Sequence, residues 1–235
     1  MENIKDDRGY NQVWGDSKST RIRAERRCDY MVSQMVVRPN KSVMEIGCGT
    51  GKNAFLLAGK TGMQVLGTDL CHPFVEEAQY KYKLMNLRYE VLDFNKAADF
   101  KGEKFDYIIG NGILHHLYHH LDDAAVNMKS LLKENGKIIF LEPNICNPYV
   151  YFIFTFPFLR KLTHLEPDEM AFSDKFITEV LQKAGYKNIK VEFRDFLLPG
   201  IPSFLIGPSI WLGKYLERIP GIRKWSQSIF ISATN

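Results

Sequence analysis

Cysteine is scarce in this chain. Cys28, Cys48, Cys71 and Cys146 are the only four in 235 residues. They are too few and too irregularly spaced for a disulfide framework or a C-x-x-C metal or redox pair, so the expected setting is reducing and cytosolic. Charge of one sign is not in excess either. Lys and Arg total 31 against 27 acidic residues, and the resulting +4 is too small to point to nucleic acid. No apolar run stands in the opening M-E-N-I-K-D-D-R-G-Y, so no secretory signal is read there. Two uncharged stretches, 143–159 and 196–213, are each broken by three prolines: Pro143, Pro148 and Pro157 in one, Pro199, Pro202 and Pro208 in the other. A spanning helix needs about 20 apolar residues with its backbone bonds satisfied internally, so these stretches argue against insertion and leave surface contact open. Repeats and low-complexity tracts are missing as well.

What is present is unevenly distributed. Residues 42–142 carry eleven basic and thirteen acidic groups, whereas 1–41 carry nine and six, and 143–235 carry eleven and eight. Eight of ten prolines and sixteen of thirty aromatics follow Glu142. From Ser42 onward, β-branched or apolar runs at 43–46, 64–68, 88–92, 105–109 and 137–141 alternate with helical patterns opening at Lys52, Pro73 and Asp122. That alternation predicts a parallel sheet covered on both faces. A helix over 173–184 ending at Gly185 and strands at 189–193 and 228–233 complete the pattern. The excess prolines and aromatics fall into two insertions, about 143–172 and 196–225. Both leave from the carboxyl edge of the sheet, where open α/β sheets bind ligands, so both are expected over the active site.

The first strand runs into V-M-E-I-G-C-G-T-G, residues 43–51, and then a helix. Its glycines let the backbone turn sharply and approach a ligand. Asp69 ends the second strand twenty residues beyond Gly49, where a carboxylate can accept from both hydroxyls of a ribose. A dinucleotide fingerprint wants G-x-G-x-x-G, but here the spacing is G-x-G-x-G preceded by Glu45. On these residues the segment 43–142 resembles the cofactor half of a class I S-adenosylmethionine-dependent methyltransferase of the small-molecule type.

The resemblance implies an α/β fold: a Rossmann-like three-layer αβα sandwich around a seven-stranded, mostly parallel sheet with an antiparallel last strand and apolar cap insertions. Residues 1–235 would form one domain, with 1–41 as an N-terminal lid. It implies S-adenosyl-L-methionine as cofactor and S-adenosyl-L-homocysteine as product. Glu45, Gly47 and Gly49 would hold the methionyl part, Asp69 the ribose and Leu70 one adenine face. Asp93 would accept from the adenine amino group with Phe94 beside it, and Asn111 would offer a carbonyl to the methionyl ammonium. A non-catalytic S-adenosylmethionine-binding module and an NAD-dependent dehydrogenase are the competing readings.

Methyl transfer from a sulfonium needs alignment, exclusion of water and, for an oxygen acceptor, removal of a proton. His115 and His116 follow the fourth strand and suit a general base, although one of them could instead tie the loop to the sheet. The run H-H-L-Y-H-H sets histidines at i,i+4 spacing, but no third ligand can be named, so no metal is assigned. His164 and Glu166 could reach the pocket or sit on a surface turn. Tyr10 and Trp14 suit either a lid or packing of a terminal helix. The basic stretch from Arg21 to Arg27 suits an anionic acceptor group or a solvated helix face. The insertions suit the wall of an apolar pocket, with Lys214, Arg218, Arg223 and Lys224 meeting an anionic surface, or a homodimer interface, or a second core. The expected reaction is methyl transfer to a small-molecule acceptor, ahead of all on oxygen, with peripheral membrane contact open and no nucleic-acid partner.

Overall fold

The computed structural model describes residues 17–96, 100–163, 165–198 and 200–235. Seven strands form one sheet: β1 Ser42–Ile46, β2 Gln64–Asp69, β3 Leu87–Val91, β4 Phe105–Asn111, β5 Leu132–Pro143, β6 Lys187–Arg194 and β7 Ser228–Thr234. Their order is β3-β2-β1-β4-β5-β7-β6. The first five pair in parallel, and β7 runs antiparallel to both β5 and β6. Strand order reverses between β1 and β4, which opens a crevice at their carboxyl ends.

Alternation along the strands builds two cores. In β5, Ile138 and Phe140 join one cluster while Ile139 and Leu141 join the other. Helices α1 Lys18–Ser33, α2 Lys52–Thr61 and α3 His72–Lys81 cover one face through residues such as Met31, Leu57 and Val75. On the opposite face lie α4 Leu121–Leu131 and α7 Asp174–Lys183, contributing Met128, Ile177 and Leu181. Successive side chains of a strand point to opposite faces, so strands buried on both sides read as continuous apolar runs. Ser173 caps α7 by accepting the Phe176 N–H at 3.2 Å, and Gly185 follows at φ +76°.

The insertions depart from the ends of β5 and β6 as the topology predicts, and they are helical. The first holds α5 Pro148–Thr155 and α6 Pro157–Leu162; the second holds α8 Ser203–Leu216. Pro148 and Pro157 stand at helix starts, where a missing N–H costs nothing, so prolines that break a long span initiate short helices instead. Asn144 joins the two insertions by donating to the carbonyls of Lys224 and Ser226, each at 2.8 Å. Among the described residues, no helix is long and apolar enough to cross a membrane.

Helix α1 is docked on the sheet. Arg27 of α1 donates to Asn111 at 3.2 Å, and to Asp195 and Ser228 at 3.3 Å, while Arg23 donates to Gln227 at 3.2 Å. The basic stretch therefore supplies two half-buried clamps onto the ends of β4, β6 and β7, and is not simply a solvated helix face. Tyr10 and Trp14 lie outside the described residues.

Candidate active site

The glycine loop closes the crevice from below. Gly47 sits at φ +63°, and a Cβ there would come within 2.5 Å of the Ile113 side chain. Gly49, at φ +51°, has nothing within 4 Å of where its Cβ would be, which leaves open space in front of the loop. The loop is held from β2: the Asp69 carboxylate accepts the Gly49 N–H at 2.8 Å and the Cys71 N–H at 2.9 Å. Burial raises the Asp69 carboxyl, against those backbone hydrogen bonds and the nearby His116 imidazole. Asp69 is thus within electrostatic reach of His116.

Glu45 is fully enclosed at the end of β1. One carboxyl oxygen accepts from Asn53 Nδ2 at 2.7 Å, while Oε2 is buried without a hydrogen-bond partner. Burial pushes this carboxyl up to about 8, the Asn53 bond working against it and Asp69 with it. A buried acid with an orphaned oxygen beside an open glycine loop suits a cationic ligand. Leu70 is 66% exposed next to Asp69, an apolar face left uncovered at the crevice. Asp93 follows β3 and accepts the Asn95 N–H at 2.9 Å. Phe94, by contrast, is buried in the core with Met44 and Leu66, so its ring packs under the sheet rather than facing the crevice. The Asn111 side-chain oxygen is taken by Arg27, so only its main-chain carbonyl is left to meet a ligand ammonium. Gly47, Gly49, Glu45, Asp69, Leu70 and Asp93 together fit the methionyl, ribose and adenine parts of S-adenosylmethionine.

Beyond β4 the chain turns into a 3-10 helix, Leu114–His120, anchored by one buried acid. Glu142 at the end of β5 accepts the N–H groups of Ile113 at 3.0 Å, Leu114 at 2.9 Å and His115 at 3.3 Å, and also binds His115 Nδ1 at 2.7 Å. The other ring nitrogen, Nε2, lies 3.0 Å from Glu169, which the first insertion delivers. Burial depresses the His115 imidazole, but the hydrogen bonds from both carboxylates outweigh it and hold the ring at about 9. His115 is thus an imidazolium clamped on both sides, with no nitrogen left for a substrate proton. His116 differs. Its Nδ1 stands 3.6 Å from Glu166 and 3.9 Å from Glu169, and burial together with the charge on His115 lowers it below 6.5.

The ligand atoms of His115, His116 and Glu169 lie within 4.8 Å of one another, close enough to share a metal ion. As found, both His115 nitrogens are occupied by carboxylates, and the group is an ion-pair network. His119 and His120 are exposed and take no part in it. His164 lies outside the described residues. Glu166 does reach the cluster, and Glu142 and Glu169 are the members that sequence reasoning passed over. The first insertion is tied here as well: Met170 N–H donates to the His115 carbonyl at 3.0 Å, and the Phe154 ring stands edge-on to His115 at 6.0 Å.

Comparison with known proteins agrees with this geometry. Residues 43–136 match the family model described as methyltransferase domain. A tRNA U34 carboxymethyltransferase from Vibrio campbellii is 27% identical over 134 residues, covering 56% of this chain and 41% of that protein. A highly reducing polyketide synthase from a Fusarium species is 29% identical over 143 residues, covering 56% of this chain and 6% of that protein. The chain therefore spans less than half the length of these curated relatives. In fold, a crystal structure of an S-adenosylmethionine-dependent methyltransferase from Archaeoglobus fulgidus superposes with a TM-score of 0.65 over 92% of this chain and 94% of that one, at 18% identity.

Proposed function

We propose that this chain, a class I S-adenosylmethionine-dependent methyltransferase, transfers the methyl group to a hydroxyl oxygen of a small apolar molecule, with His116 taking the hydroxyl proton. The observation that carries this reading is the difference between two adjacent imidazoles. Bound S-adenosylmethionine supplies an electrophilic methyl on a sulfonium. Glu45, the glycine loop and Asp69 orient that donor, and Asp69 lies close enough to His116 for the imidazole to lower its carboxyl. A neutral hydroxyl is a weak nucleophile and must lose its proton as the new bond forms. His116, held below its ordinary value, is neutral near pH 7 and accepts that proton on Nε2. Its Nδ1 side meets Glu166 and Glu169, which stabilise the imidazolium that results. His115 and Glu142 act as positioning residues, fixing the 3-10 helix that carries the base. The Phe154 ring of the first insertion, edge-on to His115 at 6.0 Å, puts apolar surface beside the base and favours an acceptor with little polarity.

The test uses tritiated methyl donor and a panel of phenols and lipid alcohols, with the methylated atom located by mass spectrometry. Wild type is expected to methylate oxygen, and His116→Gln to lose about two orders of magnitude in kcat while keeping its affinity for S-adenosylhomocysteine. Equal kcat in wild type and variant refutes the base assignment. Transfer to amines or carbon alone refutes the oxygen acceptor. Tight cofactor binding with no transfer to any acceptor favours a non-catalytic module.

A further inference from the structure

The two insertions expose aromatic surface that an enclosed pocket does not need. Phe152 of α5, Phe156 between α5 and α6, Phe158 of α6, and Phe204 and Trp211 of α8 are all exposed, Phe158 and Phe204 by about three-quarters of their area. The part of the cap that is truly internal is small, comprising Val150, Phe154 and Ala171 with a few partly covered neighbours. Exposed cations share these segments with the rings. Lys161, Lys214, Arg218, Arg223 and Lys224 are exposed, while Arg160 is used internally, donating to the carbonyls of Phe154 and Glu166. Outward acid is sparse: 143–172 has Glu166 and Glu169, both buried, and the exposed Asp168, and Glu217 is the only acid in 196–225. Glu217 is turned inward, accepting from Arg194 and from the Asp195 N–H, both at 3.0 Å.

We infer that this cap docks on an anionic phospholipid bilayer, laying α5, α6 and α8 into the interface with the crevice opening beside them. The charge pattern selects this occupant. A bilayer carrying anionic headgroups over hydrocarbon complements a surface that presents aromatic side chains and five exposed cations against one exposed acid, Asp168. A second copy of the chain would instead set the same cations against each other across a two-fold axis. Short helices interrupted by prolines lie in such an interface without crossing it. This inference goes beyond the reaction proposed above and does not require it, because it concerns the cap and not the acceptor atom.

Sedimentation of the whole chain with vesicles tests it, comparing phosphatidylcholine alone with equal parts phosphatidylcholine and phosphatidylglycerol. Binding is expected to the anionic vesicles only, to weaken in molar salt, and to shift the emission of Trp211 and Trp225 to the blue. Replacing Lys214 and Arg218 by alanine is expected to weaken binding about fivefold per cation. Phe158→Glu with Trp211→Glu is expected to abolish it while S-adenosylhomocysteine affinity, read by calorimetry, stays unchanged and certifies the fold. Wild type that binds S-adenosylhomocysteine yet sediments with neither vesicle overturns the inference. So does a micromolar dimer, seen by analytical ultracentrifugation, that Phe158→Glu with Trp211→Glu dissolves without any loss of vesicle binding.

Discussion

Replacing Glu142 by glutamine changes one atom in the most enclosed part of the site, and its consequence depends on pH. Glu142 is fully buried and holds the His115 ring at 2.7 Å from one side, with Glu169 at 3.0 Å on the other. Together, and net of burial, they lift the imidazole from 6.5 to about 9. Each pH unit of such displacement corresponds to about 1.4 kcal/mol, so the clamp stabilises the folded chain by about 3 kcal/mol when complete. The folded-state value lies above the unfolded one. The stabilisation is therefore fully present below about pH 6.5 and is lost as pH rises through about 9. In Glu142→Gln the backbone N–H groups of Ile113 and Leu114 keep an acceptor, but His115 faces one carboxylate instead of two. More than half of the pH-dependent stability should disappear, because the remaining carboxylate still has the whole burial penalty to offset, so the gap between the two proteins should be largest near pH 6 and should narrow by at least about 1.5 kcal/mol towards pH 10. Urea denaturation at a series of pH values measures this difference directly. Groups that titrate identically in both proteins, Glu45 among them, cancel in the comparison. Parallel stability curves across that range would refute the clamp.

Other expectations follow from the same contacts. Asp69→Ala removes the acceptor for the Gly49 and Cys71 N–H groups as well as the ribose carboxylate, so calorimetry should show S-adenosylhomocysteine affinity falling tenfold or more; an unchanged affinity would place the ribose elsewhere. The Glu45 carboxyl is raised to about 8, so it lowers stability as pH rises from 4.5 through 8, and Glu45→Gln should be more stable than wild type at pH 9, by about 4–5 kcal/mol at most. The same variant should bind the cationic methyl donor more weakly, and equal binding would remove Glu45 from the site. Arg27→Met leaves the buried Asp195, among the described cations, with Arg23 at 3.5 Å, besides the Leu197 N–H at 3.1 Å, and should cost about 2–3 kcal/mol in chemical denaturation. A smaller loss would show that helix α1 is held mainly by Met31 and Cys28.

The cofactor half was legible because its signals are local. A glycine at φ +63°, an acid at the end of a strand and an apolar run of strand length are each specified within a few residues. Alternation of strand and helix then leaves few topologies, and the sheet is parallel through its first five strands with an antiparallel last strand, as expected. The prolines of 143–159 were legible as breakers of a long span, but as helix starts only once the chain around Pro148 and Pro157 was seen. Phe94 shows the limit of a position-by-position reading, since a residue adjacent to the crevice in sequence can point beneath the sheet.

From the sequence alone came the class of fold, the cofactor loop, the two insertions and the edge they leave from, because repeating periods and strand-end residues encode these over short range. The division of labour between His115 and His116 came only with tertiary structure. Two identical side chains in adjacent positions are separated chemically by Glu142, Glu166 and Glu169, which lie 27 residues or more along the chain. Electrostatics falls off with distance in space and is indifferent to distance in sequence, and burial strengthens it. The same holds for the cap. Its aromatic content was a matter of composition, whereas its outward display, with Glu217 turned in and the cations left out, was decided by packing.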